Sequence, residues 1–71
     1  NMATWKDVVV SVIRNIHGDI SNEAVYSALE GHKKAKENEN WKAKIRQTLQ
    51  KLEASGMIVR KGNGLYAQAT A

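Results

Sequence analysis

Seventy-one residues suffice for one domain with one small core, because a chain of this size buries only about 60% of its unfolded surface and has no room for an enclosed substrate cavity. The absence of cysteine excludes disulfides and thiolate metal sites, and the longest apolar run, Val8-Val9-Val10, is far short of the ~20 residues of a membrane span. The net charge is +4, and it is unevenly placed. Residues 1–32 carry Lys6 and Arg14 against Asp7, Asp19, Glu23 and Glu30, a balance of −2, whereas residues 33–71 carry nine cations against Glu37, Glu39 and Glu53, a balance of +6. Such asymmetry points to an anionic partner for the second half, or to surface charge kept for solubility. No stretch reads as a secretory signal. The expected setting is reducing: a bacterial cytoplasm, beside the nucleoid, or a eukaryotic nucleus. Asn1 ahead of Met2 reads as a remnant of an expression tag.

The first predicted helix opens at Thr4, with Asp7 placed to complete a capping box. Trp5, Val8, Val9, Val12, Ile13 and Ile16 recur along one face, Val10 lies off that stripe, and Gly18 supplies the stop. Ile20 either forms a very short strand or pins the turn. A second helix follows the cap Ser21, with Glu23 near its positive end and Ala24, Val25, Ala28 and Leu29 as its apolar side, ending by Gly31. Residues 32–40 are polar and aperiodic and read as a loop. A third helix starts after Asn40, buries Trp41, Ile45, Thr48, Leu49 and Leu52, and stops at Gly56. Two strands, 57–61 and 65–68, flank the turn Gly62-Asn63-Gly64.

Three helices followed by a hairpin predict an α+β winged helix-turn-helix over 4–68, mainly α with a two-stranded antiparallel wing, with frayed ends at 1–3 and 69–71. Neither an isolated hairpin nor these short helices would be stable alone, so they are expected to share one core.

On a wheel at ~100° per residue, the outer face of the third helix is centred on Ala43, Gln47 and Gln50, with Arg46 on one side and Lys44 and Lys51 on the other. Lys42 lies nearer the buried stripe. Glutamine offers a paired donor and acceptor to adenine and arginine two donors to guanine, Ala43 is short enough to meet a thymine methyl, and Lys42 and Lys44 suit phosphates. The alternative is a solvated face, since Lys, Gln and Arg are all good helix formers. The hairpin adds Arg60 and Lys61 before a glycine-flanked tip, where Asn63 can approach a minor groove. His32, Lys33, Lys34 and Lys36 form either a phosphate clamp or a solvated run. The tryptophans fall on buried stripes, so they read as core rather than as base-stacking platforms. Tyr66 and Leu65 face opposite sides of their strand, and Tyr26 has no clear place.

Two isolated histidines, no Ser-His-Asp set, no phosphate-binding glycine loop and no paired carboxylates predict neither metal, cofactor nor catalysis. The expected partner is double-stranded DNA, with no membrane. The runner-up is a protein-interaction or dimerisation winged helix that uses the first helix around Val10.

The segments Asn40-Trp41-Lys42-Ala43-Lys44-Ile45-Arg46-Gln47-Thr48-Leu49-Gln50, Gly56-Met57-Ile58-Val59-Arg60 and Gly62-Asn63-Gly64-Leu65-Tyr66 resemble winged helices joined to Mrr-type restriction endonucleases. Thr4-Trp5-Lys6-Asp7 and Ser21-Asn22-Glu23-Ala24-Val25-Tyr26 resemble the HARE helix-turn-helix family of chromatin proteins and restriction enzymes. The resemblance implies a DNA-targeting module for a nuclease or chromatin-linked effector, one that senses base modification. In that role Trp41 is structural, while Arg46, Gln47 and Gln50 face DNA. Glu39 departs from the pattern, standing where proline is expected before the helix.

Overall fold

The structure, a computed structural model, describes residues 3–69. Its first helix, α1, spans Trp5–Ile13. Its start is reciprocal: the Asp7 N–H donates to Thr4 Oγ1 and the Thr4 N–H to Asp7 Oδ2, both at 3.1 Å. The helix ends earlier than the apolar stripe suggests. The N–H groups of Asn15 and Ile16 reach back only three residues, to Val12 O and Ile13 O. In addition, Gln68 Nε2 donates to the Ile13 carbonyl at 2.8 Å from the far end of the chain. Gly18, at φ +93, then takes the reversal that side chains avoid.

Ile20–Ser21 is a true strand, β1. Ser21 serves twice, ending β1 and capping α2 (Asn22–Leu29) by accepting the Ala24 N–H at 3.0 Å. The buried side of α2 is Val25, Tyr26 and Leu29; Ala24 and Ala28, expected inside, are exposed. The segment expected to be an open loop contains a single helical turn, α3 (Lys33–Lys36). His32 Nδ1 caps it by accepting the Lys34 N–H at 3.0 Å, and Ala35, its one apolar residue, is buried. A polar stretch with one anchored alanine has no periodicity to betray it.

The long helix α4 runs Trp41–Ala54 and buries Ile45, Thr48, Leu49 and Leu52. Asn40 holds the cap position but its side chain makes no cap hydrogen bond. The helix closes in a Schellman motif: Gly56, at φ +88, donates to Glu53 O, and Met57 donates to Leu52 O.

β2 (Ile58–Gly62) and β3 (Leu65–Gln68) form the hairpin, and β1 pairs with the other edge of β3, giving a three-stranded antiparallel sheet in the order β1-β3-β2. Tyr66 is therefore the central buried residue, opposite Ile20 on one side and Arg60 on the other. Gly62 pairs with Leu65, so Lys61 is an extra residue in a bulge. The α+β winged helix stands, with four helices in place of three and a third strand added to the wing. One core joins α1, α2, α4 and the sheet, centred on Val9, Ile13, Ile20, Val25, Ile45, Leu49 and Ile58. The expectation of frayed ends falls, for Asn1, Met2, Thr70 and Ala71, outside the described residues, while the Ala69 N–H reaches Met57 O at 3.4 Å.

Candidate nucleic-acid interface

The inner stripe of α4 is consumed by the core, so its chemistry lies outside. Lys42, Lys44, Arg46, Gln47, Gln50 and Lys51 are exposed and Ala43 is half-buried. Lys42 does not project freely: its Nζ stands 5.4 Å from the ring centre of Tyr26 and 5.5 Å from that of Trp41. Those two rings meet edge to face at 6.0 Å and 78°. The cation is thus held over an aromatic pair, an attraction of about 0.5–1 kcal/mol at an exposed site.

Tyr26, which periodicity could not assign, has a definite task. Its ring is buried against the core, and its hydroxyl accepts a hydrogen bond from Arg46 Nη1 at 3.1 Å. This fixes one end of the guanidinium and leaves its other donors available.

On the wing, Arg60 Nε donates to Gly62 O at 3.2 Å, steadying the side chain beside the turn. Lys61, carried outward by the bulge, pairs with Asp19 at 3.1 Å, and both side chains are about half exposed. Asn63 is exposed at the tip. Gly64 is constrained twice: its φ is +69, and a Cβ there would stand 3.2 Å from Asn22 Nδ2. Its carbonyl also accepts the Asn22 N–H at 2.9 Å, which fastens the wing tip to the start of α2.

These attachments create a cleft of about 340 Å³ between α4 and the wing. Arg46, Gln50 and Glu53, on successive turns of α4, form one wall. Arg60, Asn63 and Gly64 form the other, with Tyr66 and Asn22 between them. Asn22 Oδ1 is buried with no hydrogen-bond partner, an unpaired acceptor in a polar setting. Of the residues singled out in the sequence, the fold brings Arg46, Gln50, Arg60 and Asn63 together here. Lys42, Ala43, Lys44, Gln47, Lys51 and Lys61 lie outside the cleft lining. Asn22, Glu53 and Tyr66 were not anticipated. Nothing local marks them, because pairing of β1 with β3 is what gathers the wing, α2 and α4 at one place.

The basic connector is turned elsewhere, toward α1. Lys34 Nζ lies 5.3 Å from the Trp5 ring centre, above a hollow of about 420 Å³ that His32, Lys33 and Glu37 help to line. Among the described residues, no group of three or more His, Cys, Asp or Glu side chains could hold a metal ion, and no helix is long and apolar enough to cross a membrane.

No curated protein matches the sequence. The Dam-replacing HTH domain family matches it over residues 1–68, nearly its whole length, and this match singles out neither the Mrr-type nor the HARE families. A winged helix with an outward-facing basic α4, matched to a helix-turn-helix family over nearly its whole length, identifies the chain as a member of the Dam-replacing HTH domain family, a DNA-binding family tied to restriction enzymes.

Proposed function

We propose that the chain is a non-catalytic module for double-stranded DNA that enters the major groove with α4 and meets the backbone or minor groove with the wing. It targets a nuclease or chromatin-linked effector, in the manner of Mrr-type or HARE domains, and responds to base modification. The observation that carries this reading is the convergence of Arg46 and Gln50 from α4 with Arg60 and Asn63 from the wing on one cleft. Two successive elements, α4 and the wing, turn cationic and carboxamide groups toward one space, as binding a polyanion with readable edges requires. Lys44, Lys51, Ala43 and Gln47 extend the same surface along α4, and Lys42 and Lys61 border it. The runner-up, protein docking through α1, loses its main support, because Val10 is half-buried and packs against the core.

The test is an NMR titration of the labelled chain with short duplexes, plain and base-modified, at two salt concentrations. Shifts concentrated at 42–50 and 60–64 are expected. Affinity should fall with salt at a log–log slope near −4 to −5 for about five phosphates. A tighter complex with one modified duplex supports modification sensing, and equal affinity for all duplexes removes it. A folded sample whose spectrum no duplex perturbs would refute the reading.

A further inference from the structure

The outer surface of α4 divides into three rows. At ~100° per residue, Arg46, Gln50 and Glu53 form the row beside the wing, Ala43 and Gln47 the middle row, and Lys44 and Lys51 the far row. Only the first row lines the cleft. In duplex DNA a single sugar-phosphate strand separates a major groove from the neighbouring minor groove. If α4 occupies the one and the wing meets the other, that strand must run between them, through the cleft. A phosphate seat in the cleft thus rests on DNA binding by α4 and the wing, and divides their residues more finely.

We infer that the cleft is a seat for a backbone phosphodiester, with Arg46 as one jaw and Arg60 as the other, and that base edges are read by Ala43 and Gln47. The geometry favours this division. Arg46 is tethered through Nη1 to the Tyr26 hydroxyl at 3.1 Å, and Tyr26 is itself locked edge to face on Trp41. Its guanidinium is thereby kept at the wing side of the helix, away from the middle row. Arg60 is similarly braced by the Gly62 carbonyl. Each arginine has donors left over, and two forks on opposite walls of a narrow cleft suit one anionic diester better than one base pair. Glu53 closes the other end of the row, where its carboxylate repels phosphate and confines the seat to the Arg46 end. On the far side, Lys44 and Lys51 are available to the opposite strand, so the short Ala43 and the two-edged Gln47 are flanked by cations on both sides. Tyr26 is then a positioning residue, acting on DNA only through Arg46.

The experiment measures affinity and sequence preference of the full chain and its variants on a pool of random duplexes, with thermal unfolding followed in parallel. Arg46→Ala is expected to bind every sequence about tenfold more weakly, with an unchanged preference profile and a salt slope shallower by about 1. Gln47→Ala is expected to flatten the preference at one base pair and leave the salt slope alone. Tyr26→Phe keeps the ring and removes the tether; it should weaken binding about threefold in the wild-type background and not at all in Arg46→Ala. A change of preferred sequence in Arg46→Ala, or additive losses from Tyr26→Phe and Arg46→Ala, would overturn the assignment while leaving DNA binding intact. A folded wild-type chain that binds no duplex overturns both.

Discussion

α1 and α4 both bury an apolar stripe, and they do so against each other. α1 contributes Val8, Val9 and Ile13, and α4 contributes Ile45, Leu49 and Leu52. Their outer surfaces differ. That of α1 carries Lys6, Asp7, Ser11 and Arg14, a mixture with little net field, and even its off-stripe Val10 is half-covered. That of α4 carries Lys44, Arg46, Gln47, Gln50 and Lys51, with no carboxylate before Glu53. Two helices of equal weight in the core thus have unequal weight at the surface. The inner stripe fixes where a helix sits, and burial is indifferent to what it leaves outside. A single-signed outer face next to a second basic element, the wing, marks the side prepared for a polyanion.

The comparison breaks most completely if the shared core is opened. Leu49 is fully buried in the core that both helices share, so Leu49→Ala should cost about 2–5 kcal/mol and leave a domain of this size largely unfolded in thermal or chemical denaturation. Loss of DNA binding in that variant would say nothing about the outer faces. Charge reversal separates them. Lys44→Glu with Arg46→Glu should lower duplex affinity by about a hundredfold at low salt with an almost unchanged melting temperature. Lys6→Glu with Arg14→Glu, the same change of charge on α1, should lower it less than about threefold, through the overall field alone. Equal losses from the two pairs would show that net charge, rather than the α4 face, attracts the partner.

What the sequence made legible was what local chemistry writes. Thr4 with Asp7, Ser21, Gly56 and the Gly62-Asn63-Gly64 turn bound three helices and a hairpin within a few residues of where they fall. What stayed illegible depends on residues distant in the chain. α1 stops where Gln68, 55 positions away, takes the Ile13 carbonyl. β1 is two residues long and exists because β3 returns beside it. α3 rests on one buried alanine. The same division runs through the interface. Arg46, Gln50, Arg60 and Asn63 are visible as charge and carboxamide in the right elements, while Asn22, Tyr26 and Tyr66 matter only after the sheet has gathered them.

Gly64 tests how firmly the wing tip is held to α2, an attachment separate from the one Gln68 makes to the end of α1. Gly64→Ala must adopt a positive φ and press a methyl toward Asn22 Nδ2, so a loss of about 1–2 kcal/mol in stability is expected. Wing amide shifts at 60–64 should accompany it. A fully stable Gly64→Ala would mean that the turn relaxes without cost and that the cleft wall is not rigid.

The smallest effect separates α1 from α4 at their starts. Both helices present a cap-forming side chain in sequence, Thr4 and Asn40, although only Thr4 has a capping-box partner three residues on. In the folded chain the two differ further. Thr4 Oγ1 accepts the Asp7 N–H and the Thr4 N–H donates to Asp7 Oδ2 in return, whereas Asn40 makes no side-chain cap bond and instead donates its N–H to Asn38 Oδ1 at 2.8 Å. Thr4→Ala should therefore cost about 1 kcal/mol in thermal unfolding, and Asn40→Ala no more than a few tenths. The Trp41 N–H, the first amide of α4, is taken by the Asn38 carbonyl at 3.1 Å rather than by a cap side chain, and Asn38→Ala, which loosens the turn ahead of the helix, should destabilise the domain more than Asn40→Ala does. The opposite ranking would mean that Asn40 caps α4 in solution and that the turn before the helix differs from the one described.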